Sequence, residues 1–231
     1  MKILAFGAHP DDVEFGAAAP LLIKETKKGS KAKIVVCSLG EAGSSGTSVG
    51  RKKEAAMAAK IIGAEIEFIN LGGDCHIKYK PNNGITLAKI IRKYKPNIVL
   101  TTSLKEEQHP DHKALAMLVR DACRFARYGG LKELKGLPVH KIGELYFYQS
   151  SADYYKPYDI VIDVSDVQKI WEKSIKAHAS QMKTKNYIDL VLTKARALGA
   201  SIGVKYAVGL WKNDPVRLNS LSDINLSSRN Y

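Results

Sequence analysis

The sequence predicts an α/β protein: a Rossmann-like, mostly parallel sheet flanked by helices, with a further strand and helix extension toward the C-terminus. Three observations carry this expectation. Short apolar runs of strand length recur along the chain, helix-length segments separate them, and Gly or Pro marks many of the junctions. Strands spaced by helices pair in parallel through right-handed crossovers, which makes the first half a Rossmann-like layer.

Taken in order, Ile3 to Ala8 is the first strand. Pro20 suits the first turn of a helix that runs to about Lys28, and Gly29 can end it. Ile34-Val35-Val36-Cys37 is the second strand, followed by a Gly/Ser loop from Gly40 to Gly50. Arg51 to Ile62 is an Ala-rich helix closed by Gly63, and Ile66 to Ile69 is the third strand. A helix from about Ile85 to Tyr94 stops before Pro96, and Ile98 to Thr101 is the fourth strand. Lys113 to Arg127 then reads as a helix with an apolar face, and Tyr128 to Lys141 as a loop. Leu145 to Tyr148 and Tyr158 to Ile162 extend the sheet, while Val167 to His178 and Tyr187 to Leu198 are the last helices. With no linker in view, residues 1–218 are expected to form one domain and residues 219–231 a frayed polar tail.

At 231 residues and 45% hydrophobic, the chain can bury one sizeable core. No apolar stretch approaches membrane-spanning length and no leader pattern is visible, so the expectation is a cytoplasmic protein without an integral membrane segment. Cys37, Cys75 and Cys123 lack Cys-x-x-Cys spacing, which argues against a disulfide frame or a structural zinc. The net charge of +13 would attract nucleic acid or a phosphate-bearing ligand. Its lysines are scattered without aromatic interleaving, however, so a solvated surface explains them and no nucleic-acid partner is expected. A homo-oligomer is compatible with this composition.

Two histidine–aspartate clusters carry the chemistry. Gly7-Ala8-His9-Pro10-Asp11-Asp12 follows the first strand, and His109-Pro110-Asp111-His112 follows the fourth. Both are expected in loops at strand ends, where an open α/β sheet places its ligands. Imidazole and carboxylate suit borderline-soft Zn²⁺, and a catalytic zinc takes three protein ligands and keeps a position open. The two clusters supply that set with residues to spare. A nucleotide site fits less well, because the Gly40 to Gly46 spacing is neither the dinucleotide nor the phosphate-loop pattern. Two carboxylates at the first strand's end would also repel a pyrophosphate.

Several motifs together resemble the zinc-dependent N-deacetylases of the LmbE-like or PIG-L family. They are Ala8-His9-Pro10-Asp11-Asp12, Gly40-Glu41 with Arg51 and Glu54, Gln108-His109-Pro110-Asp111-His112, His178-Ala179-Ser180-Gln181 and Gly203-Val204-Lys205-Tyr206-Ala207. The look is most similar to the N-acetylglucosaminide deacetylases of bacillithiol biosynthesis, from Met1 to about Leu218. The resemblance implies His9, Asp12 and His112 as ligands of one Zn²⁺ per chain, Asp11 as general base and His109 facing the developing oxyanion. Asp111 is expected to fix the His109 tautomer. Such a site suits amide hydrolysis, since an amide is a poor electrophile whose carbonyl must be polarised.

Arg51 and Asp74, after the second and third strands, and Glu41 resemble positions that hold sugar hydroxyls; a surface salt bridge or a turn carboxylate would account for them equally. His76, His140 and His178 read as structural. Gln108 and Val208 depart from the bacillithiol-type pattern, where Arg and an acidic residue are usual, and are expected to alter the substrate pocket. The resemblance implies a hydrolase releasing acetate and a free amine from an N-acetylated, N-acetylglucosamine-like sugar or glycoconjugate. An amidase acting on a thiol conjugate or other small amide is the alternative, and a basic nucleotide- or nucleic-acid-binding module a remote one.

Overall fold

The structure, a computed structural model, describes residues 1–105, 108–150, 157–220 and 223. Its centre is a seven-stranded sheet in the order β3-β2-β1-β4-β5-β7-β6. The strands are β1 (Lys2–Gly7), β2 (Lys31–Val36), β3 (Glu65–Phe68), β4 (Ile98–Thr102), β5 (Glu144–Tyr148), β6 (Ile160–Asp163) and β7 (Ala207–Lys212). All pairs from β3 through β5 are parallel, and β7 runs antiparallel to both β5 and β6. The strand order reverses direction between β1 and β4, which is the switch point at which such sheets open a crevice beyond their strand ends.

Strand alternation builds two cores. Ile3 and Ala5 of β1 and Ile34 and Val36 of β2 face one layer, with Leu22, Trp171 and Ile175. Leu4 and Phe6 with Val35 face the other, against Leu87, Ile91, Leu115 and Leu118. Both faces are covered, which explains why these strands read as continuous apolar runs. Each fully buried side chain of this kind contributes about 1.5–3 kcal/mol.

The helices are α1 (Asp12–Phe15), α2 (Ala18–Lys27), α3 (Ser48–Ile62), α4 (Pro81–Tyr94), α5 (Pro110–Arg127), α6 (Gln168–Lys176) and α7 (Tyr187–Ala200). Three start earlier than periodicity alone suggests, because their signals are caps. Thr47 Oγ1 accepts the Gly50 N–H at the start of α3, and proline occupies the first turn of α4 and α5. Buried Arg92 of α4 donates to five carbonyls, those of Phe125, Ala126, Tyr128, Leu134 and Leu137, and so ties α4 to the end of α5.

Strand β7 lies outside the sequence expectation. Gly209 at its middle weakens a strand signal, yet the Tyr158 ring covers that position so closely that any side chain there would collide. The expected tail from residue 219 falls, apart from residues 219, 220 and 223, outside the described residues. Among the described residues no helix is long and apolar enough to cross a membrane.

Candidate active site

The two histidine–aspartate clusters meet at the switch point. Asp12 opens α1, and its Oδ2 accepts the N–H of Ala8 at 2.7 Å and of His9 at 2.9 Å. These bonds fix the carboxylate and leave Oδ1 3.1 Å from His112 Nε2. His9 Nδ1 stands 3.5 Å from Asp12 Oδ2. One donor atom from each of His9, Asp12 and His112 lies within 4.8 Å of the others, and all three residues are buried. Burial resists ionisation of Asp12, but the His112 and His9 imidazoles hold its carboxyl well below the usual carboxylate range.

The second cluster sits on a helix and not in a loop. His109 is the N-cap of α5, its Nδ1 accepting the Asp111 N–H at 3.3 Å, and Pro110 is pre-set for the first turn. Asp111 and His112 therefore occupy the opening turn, where Thr102 Oγ1 donates to the His112 carbonyl at 2.7 Å. Ser150 Oγ lies 2.9 Å from His112 Nδ1, so the ring nitrogen turned away from Asp12 has a partner. Such partners orient a ligating imidazole. Nothing in the sequence announces Ser150, whose partner is 38 residues away.

Behind His9, Nε2 lies 3.1 Å from Asp74 Oδ1 and 3.4 Å from Asp111 Oδ2, at angles that make neither contact a hydrogen bond. Burial disfavours charge on His9, but Asp12, Asp111 and Asp74 outweigh it and push its pKa up to about 12. The same excess of negative charge is a field for a divalent cation, which would replace the His9 proton. Asp111 bears on both His9 and His109, the first through its carboxylate and the second through its backbone. That carboxylate turns to His9 and to the Cys75 N–H at 2.8 Å, and the Asp111 backbone N–H engages His109 Nδ1. With Nδ1 accepting, neutral His109 carries its proton on Nε2. Burial lowers the His109 pKa, and the nearby His9 and His112 charges lower it further.

Arg51 is buried beside Asp11. Its Nη2 lies 3.2 Å from Asp11 Oδ1 and its Nη1 donates to the Gly40 carbonyl at 2.7 Å. The glycines of the loop serve this side chain: Gly40 has φ +66°, and a Cβ at Gly40 or Gly43 would run into the guanidinium. Glu41 and Asp74 lock two loops together. Glu41 accepts the N–H of Leu39 and Asp74, and Asp74 Oδ2 accepts the N–H of Ala42. The Glu41 carboxylate is thereby engaged with backbone N–H groups.

The site opens into a cleft of about 670 Å³. His9, Asp11, Asp12, Arg51, Asp74, Cys75, Gln108, His109 and His112 line it, with Ser44, Ser45, Ser150, Gln181, Thr184, Lys185 and Tyr187 on the other walls. Val208 lines a small apolar pocket with Trp171 and Leu198 that shares Phe15 and Val191 with the cleft. His178 lies buried 3.3 Å from Glu14 Oε2, His140 Nε2 lies 2.7 Å from the Pro96 carbonyl oxygen, and His76 Nδ1 lies 2.7 Å from that of Asp74. Ser180 donates twice to Glu54 and Gln181 donates to the Ser45 carbonyl, so this distant segment buttresses α3 and the glycine loop.

The sequence profile of the PIG-L family, described as GlcNAc-PI de-N-acetylase, matches residues 4–123, which include every residue of the two clusters. The chain belongs to the PIG-L family. The chain is 34% identical over 128 residues to the uncharacterized deacetylase YaiS of Escherichia coli, covering 53% of this chain and 68% of that protein. It is 28% identical over 141 residues to 4-oxalmesaconate hydratase of Pseudomonas putida, covering 56% of this chain and 54% of that one, so the match spans about half the length of the hydratase. The crystal structure of N,N'-diacetylchitobiose deacetylase from Pyrococcus horikoshii superposes with a TM-score of 0.78 at 25% identity, covering 90% of this chain and 82% of that chain. These comparisons show the family and its fold without singling out the bacillithiol branch.

Proposed function

We propose that this PIG-L protein is a zinc-dependent deacetylase with one metal ion per chain. It would remove the N-acetyl group from an N-acetylglucosamine-like sugar or glycoconjugate in the cytoplasm, releasing acetate and a free amine. The observation that carries the reading is the convergence of His9, Asp12 and His112 beside the Arg51-bound Asp11, at the floor of a wide cleft with both polar and apolar walls.

The donor set fits zinc. Two imidazole nitrogens and one carboxylate oxygen are gathered, Ser150 lies against the outer nitrogen of one imidazole, and two carboxylates flank that of the other. When bound, zinc polarises an amide carbonyl and makes water more acidic. Asp11 takes the proton of the attacking water, and Arg51 fixes where its carboxylate points. His109 presents its Nε2 proton from the cleft's rim toward the oxygen that gains negative charge. It can do so in its neutral form, because the Asp111 N–H occupies Nδ1. Asp111 and Asp74 act on His9, and Asp74 and Arg51 both line the space where a hydroxylated substrate would sit. Hydroxyls, amides and charged groups on the cleft walls suit a sugar, and the deacetylase relatives point the same way.

The experiment is acetate release measured across a panel of N-acetylated amino sugars, thiol conjugates and simple amides, with and without a chelator. Chelator-sensitive release from N-acetylglucosamine compounds supports the reading. Release confined to simple amides or thiol conjugates would favour an amidase. Hydration of 4-oxalmesaconate, an unsaturated tricarboxylate, without any acetate release would align the chain with its Pseudomonas relative instead.

A further inference from the structure

At the rim of the cleft, beside the proposed zinc ligands, three other donor atoms form a near-equilateral triangle. Cys75 Sγ lies 3.5 Å from Asp74 Oδ1 and 3.6 Å from His109 Nε2, and His109 Nε2 lies 3.6 Å from Asp74 Oδ1. Bond lengths of about 2.3 Å to sulfur and 2.0–2.2 Å to nitrogen and oxygen, at tetrahedral angles, put donors about 3.4–3.6 Å apart. The triangle already has the shape of one face of a tetrahedral site. Its members are held from behind. Asp74 Oδ2 accepts the Ala42 N–H, His109 Nδ1 accepts the Asp111 N–H, and the Cys75 N–H donates to Asp111 Oδ2. Cys75 also adopts a left-handed backbone with φ 64°, a conformation that is unfavourable for a non-glycine residue and persists only where its surroundings impose it. Independently, the nine-tenths-buried His9 side chain aims Nε2, which has no hydrogen-bond partner, at the same Asp74 oxygen from 3.1 Å.

We propose that Cys75, Asp74 and His109 form a second cation site, distinct from the His9, Asp12 and His112 set, that takes a thiophilic divalent ion such as Zn²⁺ or Cd²⁺. Binding forms one bond each to Sγ, Oδ1 and Nε2, releases the Cys75 thiol proton to solvent, and shifts the His109 proton from Nε2 to Nδ1, which gives up the bond from the Asp111 N–H. The fourth position opens to the cleft. An ion there occupies His109 Nε2 and Asp74 Oδ1, so it blocks the oxyanion contact and one wall of the substrate space. That consequence rests on the proposed deacetylase reading, whereas the binding itself does not. Excess zinc is therefore an inhibitor that competes with substrate, and Cys75 sets its potency.

The test is a titration of metal-free protein with Cd²⁺, followed through the ultraviolet charge-transfer band of a cadmium–thiolate bond, with bound metal counted by equilibrium dialysis. Wild type is expected to bind two equivalents, of which one develops the band. Cys75→Ser should abolish the band, weaken the second equivalent at least about tenfold, and raise by a similar factor the zinc concentration needed for inhibition. His112→Ala should lose the sulfur-free equivalent and keep the band. A band retained in Cys75→Ser would assign it to Cys37 or Cys123 and overturn the proposal, as would a wild type that binds one equivalent with no band. Should the band appear while His112→Ala loses no metal, the second site stands and the proposed catalytic zinc site fails.

Discussion

The two halves of the sheet contribute to the site in different ways. Strands β1 and β4 deliver the proposed ligands, base and oxyanion donor on two contiguous motifs at neighbouring strand ends. The other half delivers supports one at a time from far along the chain. Ser150, just past β5, contacts His112; Trp171 on α6 donates to the Glu14 carbonyl at 2.7 Å; Ser180 donates to Glu54 of α3; and Gln181 holds the loop that encloses Arg51. The strand-end motifs thus fix which chemistry is available, and the later segments of the chain fix how firmly it is held. Substitutions should separate these contributions, costing rate in the first half and metal affinity or stability in the second.

The largest effect is expected at Asp11. Asp11→Asn keeps the shape and removes the proton acceptor, so kcat should fall by about 10²- to 10⁴-fold with zinc content unchanged. Steady-state kinetics beside metal analysis checks this; near wild-type turnover would move the base elsewhere. Ser150→Ala should leave kcat of the zinc-saturated enzyme nearly intact and weaken zinc binding by about 10- to 100-fold, measured by competition with a chelator. A variant with unchanged affinity would reduce Ser150 to a bystander. Trp171→Phe deletes the bond to the Glu14 carbonyl and leaves that buried acceptor unpaired, at a cost of about 1–3 kcal/mol in denaturant unfolding. Zinc affinity should not move in this variant. If it falls as far as in Ser150→Ala, the two halves are not separable and the comparison breaks.

Much of the parallel half was legible because its signals are local. Apolar runs gave β1, β2 and β4, and each chemical motif lies within a few residues of a strand end. Helix starts were displaced where a cap or a proline, not periodicity, sets the boundary, and that displacement moved Asp111 and His112 from a loop onto the first turn of α5. Ser150 escaped because its pairing with His112 spans 38 residues, and although Ser180 and Glu54 stood out as motif residues, their pairing across 126 residues did not. Gly209 hid β7 for a different reason, since the absence of a side chain there makes sense only with Tyr158 in place. The same holds for Arg51, whose pairing with Asp11 depends on glycines that read as a featureless loop.

The central claim is that His9, Asp12 and His112 hold the ion on which the chemistry depends. It is tested most directly by zinc analysis of wild type and His112→Ala purified without added metal, each paired with acetate release from an N-acetylglucosamine substrate. The account predicts about one zinc per chain and acetate release for wild type. For His112→Ala it predicts little zinc and background release, with circular dichroism unchanged because the site lies at the strand ends and outside both cores. A His112→Ala protein that retains both its zinc and its acetate release would contradict the account.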